Sequence, residues 1–208
     1  MNLKYHYWYF INPFSEKFIN RILNQGVTAK SQLGVVGKSR NQKDDPLSTK
    51  EKEKLKKTRY SKVSFMSEPY IYDAISPFIA AANKKAGWNF QYTWAEPAQF
   101  STYKKGMHYE WHMDSWETPY ASDRSPNFVG KIRKLSFVLL LSDPKDYKGG
   151  EFEMDFTNGG GKGKRIITEI KRKGDFIVFP SFIWHRLKPV TKGTRHTMQI
   201  WYLGEPWK

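Results

Sequence analysis

Two histidines, one aspartate and one arginine carry the chemistry legible in this sequence. His112 and Asp114 sit one residue apart in Tyr109-Glu110-Trp111-His112-Met113-Asp114, and His185 lies far downstream in Phe182-Ile183-Trp184-His185-Arg186. Two imidazoles and one carboxylate can fill one face of an octahedral metal and leave the opposite face to substrate and O2, the arrangement of non-haem Fe(II) oxygen chemistry. Arg195 follows His185 by ten positions. If the two share one antiparallel hairpin, a permanent cation stands beside the metal, with a planar fork suited to a carboxylate. Tyr103, nine positions before His112, can offer a hydroxyl to that carboxylate. Read singly, Arg195 is a surface strand arginine, Tyr103 a core residue and His-x-Asp a weak signal; the set makes the case. Zinc is the competing metal, since two histidines and a carboxylate also serve catalytic zinc. The chain lacks His-Glu-x-x-His, and a zinc hydrolase has no need of the arginine, so iron is favoured.

These residues need strands to aim them. Alternate residues on a strand share a face, so His112 and Asp114 can point inward together. From Trp88 onward the pattern is of short strands with turn signals, near 88–94, 98–104, 107–112, 132–142, 150–156, 165–170, 176–180, 182–188 and 195–203. Asp143-Pro144-Lys145-Asp146 and Asn158-Gly159-Gly160-Gly161 mark turns. Before them come a strand over 5–11, a helix over 15–25 capped by Ser15 and ended by Gly26, and a weak strand over 32–36. A polar segment over 38–57 follows, with a turn at Asp44-Asp45-Pro46 and a short helix over 48–57, where Ser48 and Glu51 have capping-box spacing. A helix over 69–85 should bend or break at Pro77 and close at Gly87. Helices first and many strands after them predict an α+β protein whose larger part is a β-sandwich or jelly roll. The reading is one domain over 1–208, with helical support over about 1–87 and a β core over about 88–203.

Composition narrows the class. The 208 residues are 39% hydrophobic and 16% aromatic, enough to build a core. Without cysteine, disulfides, thiolate metal sites and a cysteine nucleophile are excluded. No apolar run approaches the roughly 20 residues that span a bilayer, and the N-terminus reads as a strand rather than a signal peptide. A soluble cytoplasmic protein without membrane contact is therefore expected. The net charge of +15 permits attraction to nucleic acid or acidic proteins, or simply reflects a lysine-rich solvated surface, much of it in Lys50–Lys62. His6 and His108 read as ordinary packing, and His196 as facing away from Arg195. Asn158-Gly159-Gly160-Gly161-Lys162-Gly163-Lys164 is no phosphate loop, because Arg165 replaces the Ser/Thr and the segment joins two strands.

The stretches Gln99–Asp114, Leu135–Ser142 with Tyr147–Phe152, and Phe179–Arg195 resemble the prolyl/lysyl-hydroxylase-type 2-oxoglutarate oxygenases, in particular small bacterial and phage members. The likeness is specific over about 65–203. It implies a double-stranded β-helix with Fe(II) on His112, Asp114 and His185, and 2-oxoglutarate meeting Arg195 and Tyr103. It also implies O2 as co-substrate, ascorbate as reductant, and a product hydroxylated with release of succinate and CO2. Tyr109 occupies the place of a substrate-contacting tyrosine three positions before the first histidine. Trp201 matches a tryptophan near the metal, sixteen positions after the second. Tyr109, Trp111, Trp116 and Trp201 would form an aromatic slot suited to proline in a peptide or protein substrate, and segment 38–60 would close over it. Collagen-directed relatives carry lysine at the place of Arg195 and oxygen-sensing ones arginine, which weakens the inference to a collagen-like substrate.

Three rivals remain. A nucleic-acid oxidative dealkylase fits the charge, but such enzymes carry a second arginine six residues after the first, where Trp201 stands. A non-catalytic β-helix binding module would tolerate loss of His112 or Asp114, and both are present. A halogenase-like variant needs a small residue at Asp114.

Overall fold

The computed structural model describes residues 3–34, 48–121, 125–157 and 162–207. The N-terminal part comprises β1 (Trp8–Phe10), α1 (Glu16–Thr28), β2 (Gln32–Leu33), α2 (Thr49–Thr58), β3 (Arg59–Tyr60), β4 (Lys62–Met66) and α3 (Pro69–Lys85). There follow β5 (Trp94–Ala95), β6 (Ala98–Lys104), β7 (His108–His112), β8 (Ile132–Leu140) and β9 (Tyr147–Gly149). The chain ends with β10 (Phe152–Asp155), β11 (Lys164–Ile166), β12 (Phe176–Pro180), β13 (Trp184–Leu187) and β14 (Val190–Gly204). Among the described residues, one sheet has nine strands, in the order β1-β12-β8-β14-β6-β4-β2, with β5 and β9 also paired to β14. The other has five, β11-β10-β13-β7-β3. Strands pair antiparallel throughout, and the two sheets form a double-stranded β-helix.

Period-two alternation sorts the large sheet into two faces. Phe176 and Val178 of β12, with Leu135, Phe137 and Leu139 of β8, turn outward to the helices. Ile177 and Phe179, with Val138, turn inward toward the small sheet. Helix α3 covers the outer face with Ile71, Ile75, Ile79 and Ala82, all fully buried at helical spacing. Each such isoleucine contributes about 1.5–3 kcal/mol by leaving water. Phe10, Phe14, Phe78 and Phe137 surround Phe176, with ring centroids 4.8–5.6 Å away. The space between the sheets is left for the site.

Several local expectations change. Gly26 does not end α1, which runs on to Thr28; a Cβ there would stand 2.2 Å from Phe100 Cδ2, so the glycine permits close packing of helix on sheet. Pro77 leaves α3 unbroken over Pro69–Lys85, because it lies on the exposed side, where the carbonyl it frees at Asp73 is open to solvent. The strand expected over 88–94 reduces to Trp94–Ala95, since Asn89 takes a left-handed φ of 53° and Asn83 holds the Phe90 backbone from α3. Strands β3, β4 and β9 were not expected, and β14 starts earlier than 195. The segment before residue 88 is more than helical support, as β1 and β2 to β4 join both sheets. The capping box of α2 forms as its spacing predicts. The turn at 44–46 and the glycines at 159–161 lie outside the described residues, as does the 38–47 part of the expected lid; its remainder is α2 and β3.

Candidate metal centre

His112 ends β7, and His185 sits opposite it on β13 as its cross-strand partner. Between this pair and the next, Leu187 with Tyr109, the register slips: two steps on β13 match three on β7. This bulge puts Tyr109 and His112, three residues apart, on the same inward face. Trp111 is left on the outer side, beneath Arg186, whose guanidinium carbon is 4.8 Å from its ring centroid. Asp114 lies just past the strand. Its N–H and that of Ser115 both donate to Ser181 O, at 2.9 Å, which swings the carboxylate back toward the histidines.

A carbonyl oxygen only accepts, so the short contacts of the two imidazoles fix their tautomers. His112 Nδ1 donates to Glu110 O at 2.7 Å, and His185 Nδ1 to Ile183 O at 2.9 Å. Both Nε2 atoms therefore face Asp114, at 3.8 Å from Oδ1 and 3.5 Å from Oδ2. Burial, aided by His185, holds the His112 pKa well below the ordinary 6.5, so its ring is neutral. Burial alone would raise the Asp114 pKa; His185, His112 and Arg133 outweigh it and leave the carboxyl below its usual range. Two imidazole nitrogens and a carboxylate oxygen, all within 4.8 Å of one another, form a set that could hold one metal ion. The donor set of nitrogen and carboxylate oxygen suits Fe(II), and the backbone-tied Nδ1 atoms are the outer support that metal-bound histidines use. Ser136 Oγ donates to Asp114 Oδ2 at 2.8 Å and lies 2.9 Å from Ser181 Oγ.

These groups open into a narrow cleft, lined also by Tyr103, Tyr109, Arg195 and Trp201. Arg195 pairs with Tyr103 in register across β14 and β6. Arg195 and His185 do not share a hairpin. They belong to opposite sheets and face each other across the interior, because β13 pairs with β7 and β10 while β14 crosses to β6 and β8. Gly150 makes room for the arginine: its φ is +65°, and a Cβ would meet Arg195 Cδ at 3.0 Å. Among the described residues, three buried side-chain polar atoms lack a hydrogen bond, Glu68 Oε2, Arg195 Nε and Trp201 Nε1. Two of the three belong to this cleft. Buried donors are rarely left unpaired without a role, and a carboxylate between Arg195 and the metal triad would satisfy the guanidinium.

Of the expected aromatic slot, Tyr109 and Trp201 line the cleft, whereas Trp111 and Trp116 do not, and Trp116 is 40% exposed. Tyr109 stacks on His112 at 3.5 Å between centroids, and burial pushes its phenol up to about 12, so it stays a hydroxyl. Arg59 of β3 covers Tyr109 at 4.6 Å. Trp201 is pinned by Arg133, 3.8 Å from its ring, which is in turn held by two hydrogen bonds to Glu96. Its indole N–H makes no hydrogen bond of normal geometry, yet it lies close enough to Asp114 to help hold that carboxyl down. As expected, His196 faces away from the site and stacks on Phe100.

Sequence reasoning missed Arg59, Gln99, Thr197, Gln199, Ser136 and Ser181. Gln99, Ser101, Thr197 and Gln199 form a connected polar floor, with bonds of 2.6–3.2 Å. A signal existed: Gln99-x-Ser101-x-Tyr103 and Arg195-x-Thr197-x-Gln199-x-Trp201 repeat with period two, with Phe100, Met198 and Ile200 among the residues between them. Ser136 is likewise the polar residue in Leu135-Ser136-Phe137-Val138-Leu139. Arg59 had no such signal.

Comparison with known proteins gives a consistent picture. A family model described as 2OG-Fe(II) oxygenase superfamily matches residues 98–203. PKHD-type hydroxylases of Teredinibacter turnerae and Paraburkholderia phytofirmans are 35% and 34% identical over half of this chain. The match spans only 42% and 41% of the length of those curated relatives. A viral collagen prolyl hydroxylase of Paramecium Bursaria Chlorella virus-1, solved as a 2-oxoglutarate complex, superposes with TM-score 0.62 and 17% identity over 97% of both chains. A Trichoplax adhaerens prolyl hydroxylase, solved with a hypoxia inducible factor peptide fragment, gives 0.64 and 17% over 95% of this chain and 83% of that one. At such identities the structural likeness establishes the shared fold.

Proposed function

The chain belongs to the 2OG-Fe(II) oxygenase superfamily, and on that premise we propose that it hydroxylates a side chain of a polypeptide, with proline the foremost target. The observation that carries this reading is the convergence, in one cleft, of two tethered imidazoles, a carboxylate and an arginine whose Nε has no partner. His112, Asp114 and His185 would hold Fe(II). Arg195 and Tyr103 would receive the distal carboxylate of 2-oxoglutarate, and Tyr109 and Trp201 would flank the target residue. The bound metal and keto acid supply O2 activation, one oxygen atom going to the target C–H and the other to succinate, with release of CO2. The chain's own part is orientation and exclusion of water. The backbone carbonyls at 110 and 183 fix both imidazoles, and Ser136 fixes Asp114. Val138, Phe152 and Leu187 give the cleft apolar walls.

A peptide target is supported by solved neighbours that are named as prolyl hydroxylases, one of them with a peptide bound. The +15 charge is the feature a nucleic-acid-directed reading would rest on. No helix among the described residues is long and apolar enough to cross a membrane.

The test is succinate release from 2-oxoglutarate with Fe(II), O2 and ascorbate, run with proline-containing peptides and read by peptide mass. Peptide-stimulated succinate with a gain of one oxygen atom on proline is the expected result. Succinate stimulated by oligonucleotides and by no peptide would overturn the target class while leaving the oxygenase.

A further inference from the structure

The basic charge has a focus that the site does not use. Helix α2, Thr-Lys-Glu-Lys-Glu-Lys-Leu-Lys-Lys-Thr, buries none of its ten residues. Its five lysines, Lys50, Lys52, Lys54, Lys56 and Lys57, form no ion pair among the described residues. Lys50 with Lys54 and Lys52 with Lys56 are like charges at i,i+4, which work against the helix. Glu51 is engaged at the N-terminus in the capping box with Ser48. Against this, Glu51 in the first turn and Lys56 and Lys57 in the last suit the helix dipole, and the helix as a whole carries five lysines against two glutamates.

Its position is informative. Thr58, the last residue of α2, directly precedes Arg59, which lines the cleft and covers Tyr109. Lys57 O meets His108 Nε2 at 3.4 Å, which ties the helix to the start of β7, the strand that ends in His112. Nearby carboxylates on the small sheet do not neutralise it. Glu110 and Glu153 pair with Arg186, and Glu151 pairs with Lys188. A lysine-rich helix tied at its C-terminal end thus leads to the cleft, with Lys56 also lying 5.2 Å from the Tyr60 ring centroid. Lysine ammonium groups on flexible stems recognise charge rather than a fixed planar geometry. The helix offers no arginine and no aromatic ring for stacking bases.

We propose that α2 is a docking helix for an acidic segment of the polypeptide substrate, flanking the residue presented to the cleft. This rests on the polypeptide reading above and adds the charge class of its substrate. The test is binding rather than turnover. Two fluorescein-labelled peptides are compared by anisotropy on the full chain loaded with Mn(II) and 2-oxoglutarate. Each has a central proline; one carries four flanking glutamates and the other four glutamines. The wild type should bind the glutamate peptide about tenfold more tightly in dilute salt, as several exposed ion pairs together allow. That preference should fade as salt shortens the screening length. In K50Q/K52Q/K54Q/K56Q, checked for fold by thermal melting, the two peptides should bind equally. Equal binding by the wild type, no binding of either peptide, or a glutamate preference that survives in the variant would overturn the proposal. So would tighter binding of a single-stranded oligonucleotide than of the glutamate peptide. Failure of the hydroxylase reading would show separately, as absence of succinate from the wild type with Fe(II).

Discussion

Replacing Ser136 by alanine isolates the outer support of the metal centre without touching a ligand. Its Oγ is fully buried and donates to Asp114 Oδ2 at 2.8 Å, and its other contact is Ser181 Oγ at 2.9 Å. A hydrogen bond to a charged group is worth about 1.5–3 kcal/mol. Losing it frees the carboxylate to rotate away from the two Nε2 atoms. Divalent-metal affinity should then fall about 10–100-fold, the range seen when such supporting partners are removed. The assay is calorimetric titration of Mn(II) into the apoprotein without 2-oxoglutarate, with Ser136→Ala and Ser181→Ala in parallel. Ser181 stands one bond further from the carboxylate and should cost less. A Kd for Ser136→Ala within about twofold of wild type would refute this reasoning, and so would a larger loss in Ser181→Ala.

Three other outcomes follow from the same arrangement of residues. Arg195→Leu should weaken 2-oxoglutarate binding by about two to three orders of magnitude, as expected for a buried charge left without its partner, while Mn(II) affinity holds; equal loss of both would mean that the arginine acts on the fold. Gly26→Ala should lower thermal stability by about 1–3 kcal/mol through overpacking against Phe100, with metal affinity intact. For pH, the His112 pKa is lower in the folded state than the 6.5 of the unfolded chain, because burial and His185 disfavour its charge. The unfolded state then binds more protons below about pH 6.5, so the apoprotein should lose melting temperature as pH falls through that value. His112→Gln should flatten this slope, and an unchanged slope would contradict the assignment.

The clustering of three candidate ligands was legible because ligand chemistry demands particular side chains at inward positions, and His112-x-Asp114 with a distant His185 meets that demand in one dimension. What joined them was not legible. The step from His185 to Arg195 reads as a hairpin, yet the chain crosses between sheets within it, and pairing partners are set by long-range packing rather than by neighbours. The bulge that turns Tyr109 inward and Trp111 outward depends on the register of β13 against β7. Gly26 read as a stop because local propensity disfavours glycine in helices, but contact with Phe100 decided its use. Long periodic elements were secure: α3 matches its expected span of 69–85, and Ser15 and Ser48 cap their helices as their spacing suggests. The short β3 and β4 carried too little pattern to separate them from the lysine-rich segment before them.

The central claim is that His112, Asp114 and His185 hold a metal that works with a keto acid seated on Arg195. Succinate formed from 2-oxoglutarate by the purified chain, with and without Fe(II), alongside His112→Ala and Asp114→Ala, tests it most directly. The account predicts Fe(II)-dependent succinate in the wild type and loss to background in both variants. Succinate production that persists in His112→Ala, or a wild type that stays at background with Fe(II), O2 and every peptide tried, would contradict it.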